Sequence, residues 1–242
     1  MNQDLKKEKT AKEAFKIIEP DLRKDSVIGI GTGSTTNFFI RELNKAKLQI
    51  KGVVCSSVAS ANLIDKAYDI FSLNDVHGID FYIDGADEFN DRKELIKGGG
   101  GALTREKILA NSSDKFICIV DESKQVKKLG RFPLPVEVIE VARSAVSREL
   151  MRMGGKPIYR AGFISDNGHQ IIDIHNLPID IPYELEEKIN NIPGVVENGI
   201  FAKNSASVIL CATDEAIQFI DWKGLKKIVN TYLLKKPSYF FN

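Results

Sequence analysis

Ser26-Val-Ile-Gly-Ile-Gly-Thr-Gly-Ser-Thr-Thr36 reads as a short strand over 26–30, a loop of glycines and hydroxyls over 31–36, and the entry to a helix over 37–45. Strand, small polar loop and helix make a cradle for an anion, because the loop and first-turn N–H groups converge and the helix dipole favours negative charge. The hydroxyls of Thr32, Ser34, Thr35 and Thr36 add donors. No Walker lysine follows, and Gly29, Gly31 and Gly33 depart from the G-x-G-x-x-G spacing, which speaks against a nucleotide triphosphate or a dinucleotide. Taken alone, the loop also fits a tight turn with a Ser/Thr helix cap.

Outward from this unit the pattern repeats. An amphipathic helix over 3–18 precedes it, with Lys6, Lys7, Lys9 and Lys12 on a solvated face from which one lysine can reach a phosphate. Strands are expected over 53–57, 70–73, 78–83 and 115–120, and helices over 60–67 and 103–110. Alternating strands and helices imply an α/β fold with a doubly wound, Rossmann-like, mainly parallel sheet. Ligands in such sheets sit beyond the carboxyl ends of the strands. That edge is where Tyr82-Ile-Asp-Gly-Ala-Asp-Glu88 ends, and Lys97 then opens four consecutive glycines, Gly98 to Gly101, with Glu106 on the following helix. Four glycines carry a large entropy cost, so such a run marks close approach to a ligand or positive φ. Acids, an amine and bare backbone together suit proton transfer on a small polar molecule.

The pattern changes at Phe132-Pro-Leu-Pro135. A strand over 136–141, a helix over 143–153, a hairpin of 157–165 and 169–175 about Asp166-Asn-Gly168, a helix over 183–190 and a strand over 194–201 give βαββαβ, an inserted ferredoxin-like α+β domain. A strand over 208–212 returns to the first sheet, with helices expected over 214–220 and 223–234 and a tail over 235–242. The division is therefore 1–131 with 205–242 for the Rossmann-like catalytic domain, and 132–204 for the insertion.

Among 242 residues the net charge is only +1, which gives no basic field for nucleic acid. No apolar run approaches a membrane span, and the N-terminus lacks a signal-like apolar core. Cys55, Cys118 and Cys211 are odd in number and unpaired in spacing, as in a reducing cytoplasm. His77, His169 and His175 lie in different segments and offer no metal-ligand spacing.

The stretches 29–35, 84–88, 97–107, 115–119, 123–125 and 132–138 together closely resemble ribose-5-phosphate isomerase of the A type, in order along the chain to about residue 213. The resemblance implies interconversion of ribose 5-phosphate and ribulose 5-phosphate in the non-oxidative pentose phosphate pathway, without cofactor or metal. It implies a substrate loop at Thr32, Gly33, Ser34 and Thr35, and an acid pair Asp84 and Asp87 flanking Gly85 and Ala86. It further implies a lysine-glycine loop of Lys97, Gly98, Gly99 and Gly100, a catalytic carboxylate at Glu106, a substrate lysine at Lys124, and a phosphate contact at Lys6. The chemistry fits these residues: Glu106 as base between C2 and C1 through an enediolate, Lys97 and glycine N–H groups as donors to the oxyanion, Asp84 opening the ring, Asp87 orienting hydroxyls. Two other classes fit parts of the pattern: a silent sugar-phosphate sensor, disfavoured because the N-terminal helix is too short for a helix-turn-helix, and a coenzyme A transferase with Glu106 as nucleophile. The insertion carries no candidate acid, and its sheet needs covering. It is expected to support self-association as a homodimer or homotetramer.

Overall fold

A computed structural model describes residues 2–220 and 226–229. Its main sheet has seven strands in the order β14-β13-β12-β6-β3-β1-β2. Strands β1 (Val27–Ile30), β2 (Gly52–Cys55), β3 (Ile79–Asp84), β6 (Ser113–Asp121) and β12 (Val208–Ala212) run parallel. The core of β6, Phe116-Ile-Cys-Ile-Val120, is apolar at every position because both faces of the sheet are covered. Ile117 and Ile119 pack with Phe15 of α1 (Gln3–Ile18) and Phe39 of α2 (Ser34–Ala46). Phe116, Cys118 and Val120 pack on the other side with Tyr82 and with Leu109 of α4 (Leu103–Asn111).

From β1 the chain moves to β2 on one side and then to β3 on the other. The switch point therefore falls between β1 and β3, where the 31–36 loop and Asp84 emerge side by side. Gly31 is the contact between them: its N–H donates to the Ile83 carbonyl at 2.9 Å, and a Cβ on it would stand 1.9 Å from Asp84 Cγ.

The region after Pro133 forms a separate antiparallel sheet, order β10-β7-β9-β8, from β7 (Leu134–Val138), β8 (Lys156–Tyr159), β9 (Gln170–His175) and β10 (Val195–Asn198), with α5 (Arg143–Arg152) and α6 (Pro182–Asn190). This is the expected βαββαβ order. Its second face is not bare: Thr104 on α4 donates to the buried Glu137 of β7, which also accepts from Ser165 at 2.6 Å. A small third sheet joins β4 (Glu88–Phe89), β5 (Leu95–Ile96) and β11 (Ile200–Phe201).

Several elements differ from expectation. Helix α2 begins at Ser34 rather than 37, because Gly33 at φ 124° turns the chain straight into it. The helix expected over 60–67 is a single turn, α3 (Val58–Ala61): Asn44 of α2 takes the Leu63 carbonyl and the Asp65 N–H. The strand expected over 70–73 is one bridge, Ile70 to Val53. The 194–201 strand splits at Gly199 between two sheets. Residues 217–220 are not helical but form β13 (Ile217–Ile220), antiparallel to β12, and β14 (Lys226–Val229) pairs with it where a helix was expected. The rest of 223–234, and the tail over 235–242, lie outside the described residues.

The Gly31 contact makes a prediction. Gly31→Ala forces a methyl into Asp84, and denaturant unfolding should show a loss of ~1–3 kcal/mol or more. An unchanged unfolding midpoint would contradict this packing.

Candidate active site

The carboxyl ends of β1 and β3, the start of α2, the glycine loop and the start of α4 enclose a cleft of ≈ 130 Å³. Of the residues expected in a site, Thr32, Gly33, Ser34, Thr35, Gly85, Ala86, Asp87, Lys97, Gly98, Gly99, Gly100, Glu106 and Lys124 line it. Asp84 and Lys6 do not.

Asp84 ends β3 fully buried, with both oxygens occupied. Oδ1 accepts from Thr32 N at 3.0 Å, Gly85 N at 2.7 Å and Thr36 Oγ1 at 3.3 Å. Oδ2 accepts from the Tyr82 hydroxyl at 2.5 Å and faces Lys97 Nζ at 2.7 Å. Tyr82 and Asp84 meet because alternate strand residues share a face. The Tyr82 hydroxyl is pushed well above its ordinary value by burial and by Asp84, so it remains a donor.

Lys97 is 2% exposed. Its Nζ also donates to the Gly85 carbonyl at 2.6 Å and stands 3.3 Å from Glu106 Oε2. Burial alone would lower its proton affinity; Asp84 and Glu106 outweigh that and hold it above the usual ammonium range. At that distance the contact with Glu106 is mainly ionic, and Oε2 is buried with no well-formed hydrogen bond among the described residues. Burial, and then the charge of Asp84, raise the Glu106 carboxyl to about 8 against the opposing pull of Lys97. Glu106 lies in the first turn of α4 and does not cap it.

The glycine loop curls around this acid. Gly98 and Gly101 take φ of 102° and 80°, which L side chains rarely adopt. Gly99 N–H donates to Asp87 Oδ2 at 2.8 Å, so Asp87 is the member of the acid pair that faces the cleft. Gly100 is different: a Cβ there would meet only Thr32 Cγ2, at 3.6 Å. Nothing in the protein's own packing demands glycine at 100. Opposite, α2 starts from Gly33 with no side-chain cap, which leaves its first N–H groups facing the cleft.

The family model for ribose 5-phosphate isomerase A (phosphoriboisomerase A) matches residues 51–216. The chain belongs to this family. Membership makes it an aldose–ketose isomerase of the pentose phosphate pathway, acting between ribose 5-phosphate and ribulose 5-phosphate. Among similar solved structures is ribose 5 phosphate isomerase A from Neisseria gonorrhoeae, 49% identical over 91% of this chain and 97% of that one, with a TM-score of 0.87. The enzyme from Methanocaldococcus jannaschii is 42% identical over 92% and 98%, with a TM-score of 0.82. A D-ribose-5-phosphate isomerase in complex with phospho-erythronic acid is 39% identical over 91% and 100%, with a TM-score of 0.85.

Within this isomerase fold two expectations need correction. Lys6 turns away from the cleft to Glu122 at 2.5 Å and Asp214 at 2.9 Å, while its neighbour Lys7 lines the cleft with Gln3. One residue is about 100° around a helix, and a Lys-Lys pair on a solvated face does not say which member turns inward. Asp84 is fully buried and does not line the cleft, whereas Asp87 does. Sequence reasoning named Thr36 among the loop hydroxyls and Lys7 among the helix lysines without singling either out; it missed Gln3, whose place in the cleft depends on tertiary packing, and Tyr82, which the strand period alone would have put beside Asp84.

Gly100 yields the second prediction. Gly100→Ala should melt within ~1 °C of the wild type while raising KM at least ~10-fold, since the methyl enters open space of the cleft rather than the protein's own packing. A wild-type KM would contradict that use of the space.

Proposed function

We propose that Glu106 is the base that moves a proton between C2 and C1 of the open-chain sugar, through an enediolate. The observation that carries this reading is Glu106 Oε2: a buried, cleft-lining carboxylate oxygen with no hydrogen-bond partner. Lys97 supplies the positive charge for the developing oxyanion, because its third donor direction is committed to no hydrogen bond. Glycine-loop N–H groups assist it. Asp84 keeps Lys97 charged and in place. Asp87 orients hydroxyls and takes part in ring opening. The start of α2, at Thr32, Gly33, Ser34 and Thr35, holds the phosphate with Lys7 and Lys124. The relative that holds phospho-erythronic acid supports the placing, since a phosphorylated sugar acid presents a planar anion at one end and a phosphate at the other.

The same reading assigns 132–204 as the surface of self-association, as a homodimer or homotetramer. Val141, Ile181 and Tyr183 support it as large apolar side chains left exposed there. Three free cysteines, and the absence among the described residues of a helix long and apolar enough to cross a membrane, support a cytoplasmic enzyme. Sedimentation of a strict monomer at assay concentration, fully active, would exclude the association.

Glu106→Gln keeps the size of the side chain but removes its basicity, and kcat should fall ~10²–10⁴-fold with little change in substrate affinity. Wild-type turnover in deuterated water should place deuterium at C1 of the ketose or C2 of the aldose. A near-normal kcat for the variant would refute the assignment. The base works only as the carboxylate, so activity is lost as pH falls through its raised pKa of about 8. The ratio kcat/KM should therefore rise with pH through that value, standing ~100-fold below plateau two units lower. A midpoint near that of an ordinary carboxylate would contradict the buried, unpartnered Glu106.

A further inference from the structure

The glycine loop has two sides. Its N–H side faces Asp87 and the cleft, and its carbonyl side faces the hairpin that follows β8. Arg160 opens that hairpin. Its Nε and Nη2 donate to the two oxygens of Asp173 on β9, at 2.8 and 2.5 Å. Its Nη1 donates to the carbonyls of Gly98 and Gly99, at 3.3 and 3.2 Å. One edge of the guanidinium is thus anchored on a carboxylate, and the other holds two consecutive peptide oxygens of the loop.

In a trans peptide the C=O and the next N–H point in opposite directions. Holding the Gly98 oxygen therefore turns the Gly99 N–H away from Arg160, to the observed bond with Asp87. Holding the Gly99 oxygen turns the Gly100 N–H the same way, toward the cleft. Phe163 of the hairpin packs where a Cβ on Gly101 would lie, 2.1 Å from its ring, and closes the far end of the loop. Within the loop the Gly101 N–H donates to the Gly98 carbonyl at 2.9 Å, but no such bond fixes the Gly99 carbonyl, and glycine backbone has little conformational preference of its own.

We propose that Arg160 is a positioning residue for the isomerisation. It fixes the Gly98 and Gly99 peptide planes so that the loop N–H groups are aimed at the developing oxyanion before the substrate arrives. The inserted unit, which contributes no catalytic acid, acts on the reaction through this guanidinium. Lysine cannot replace it, because a single ammonium does not serve a carboxylate bidentately and two carbonyls at once. The inference rests on the reading above, in which the loop stabilises an enediolate.

The test compares Arg160→Ala, Arg160→Lys and Asp173→Asn in the full-length enzyme by kcat, KM, melting temperature and response to added methylguanidinium. Misaligned donors should lower kcat of Arg160→Ala by ~10–100-fold with KM within ~3-fold. Methylguanidinium at non-denaturing concentration should recover a large part of the loss. Arg160→Lys should be no better than Arg160→Ala, and Asp173→Asn should show an intermediate loss in kcat. The midpoint of the kcat/KM pH profile should not move in any of them, since Arg160 does not touch Glu106. The inference is overturned by a wild-type kcat in Arg160→Ala, by full activity in Arg160→Lys, or by a loss that tracks a lowered melting temperature and ignores methylguanidinium. If Arg160→Ala fails to fold, a wild-type kcat in Asp173→Asn overturns it. Failure of the Glu106 reading is distinguishable, because it would appear in the wild-type pH profile.

Discussion

Burying an ammonium group costs several kcal/mol unless a carboxylate meets it in good geometry. Lys97 has two carboxylates within reach, and they are not equivalent. Asp84 holds it at 2.7 Å and is itself held by three N–H or O–H donors on its other oxygen. Glu106 stands at 3.3 Å with its nearer oxygen bonded to nothing. The lysine is neutralised by one partner and only leaned upon by the other. This asymmetry keeps Lys97 a cation and, together with burial, leaves Glu106 on the cleft wall with a raised proton affinity.

The fold exists around that asymmetry in a traceable way. The parallel sheet puts the ends of β1 and β3 side by side, and Gly31 lets the first loop close over Asp84 with no side chain between them. The Thr32 N–H and the Thr36 hydroxyl then bind the acid, so the loop that lines the cleft also fixes the charge behind Lys97. Helix α4 is held from the opposite side. Lys107 is buried against Glu186 at 2.9 Å and Glu197 at 2.8 Å, and Thr104 is bonded to Glu137, all three acids belonging to the region after Pro133. Glu106 sits between these two anchors on the same helix, so the second sheet determines where its carboxylate stands.

Much of this was legible in the sequence because the chemistry is contiguous. The acid pair, the lysine and the glycines occur within one stretch, and the period-two strands beside it place them at one sheet edge. The different placing of Asp84 and Asp87 was not legible. Both sit where a strand ends, and only the register decides that one is walled in by Tyr82, Thr32 and Lys97 while the other meets the cleft. Arg160 was hidden for a related reason: it lies some sixty positions from the loop it holds, and nothing local distinguishes it from any arginine on a hairpin. The C-terminal strands were misjudged because Ile217-Gln-Phe-Ile220 is too short to separate a helical from an extended period. Pairing with β12 decided it, burying Ile217 and Phe219 on one face of the sheet and Ile220 on the other.

Burial, and then Asp84 by claiming Lys97, hold the proton on Glu106. The most direct measurement is a pH titration of the Glu106 side-chain carboxyl by carbon-13 NMR, in the wild type and in Asp84→Asn. The account predicts a wild-type midpoint of about 8. It predicts a clear downward shift in the variant, where a negative neighbour is gone and the whole charge of Lys97 turns to Glu106. A wild-type midpoint in the ordinary carboxylate range, or one that does not fall when Asp84 is neutralised, would contradict it.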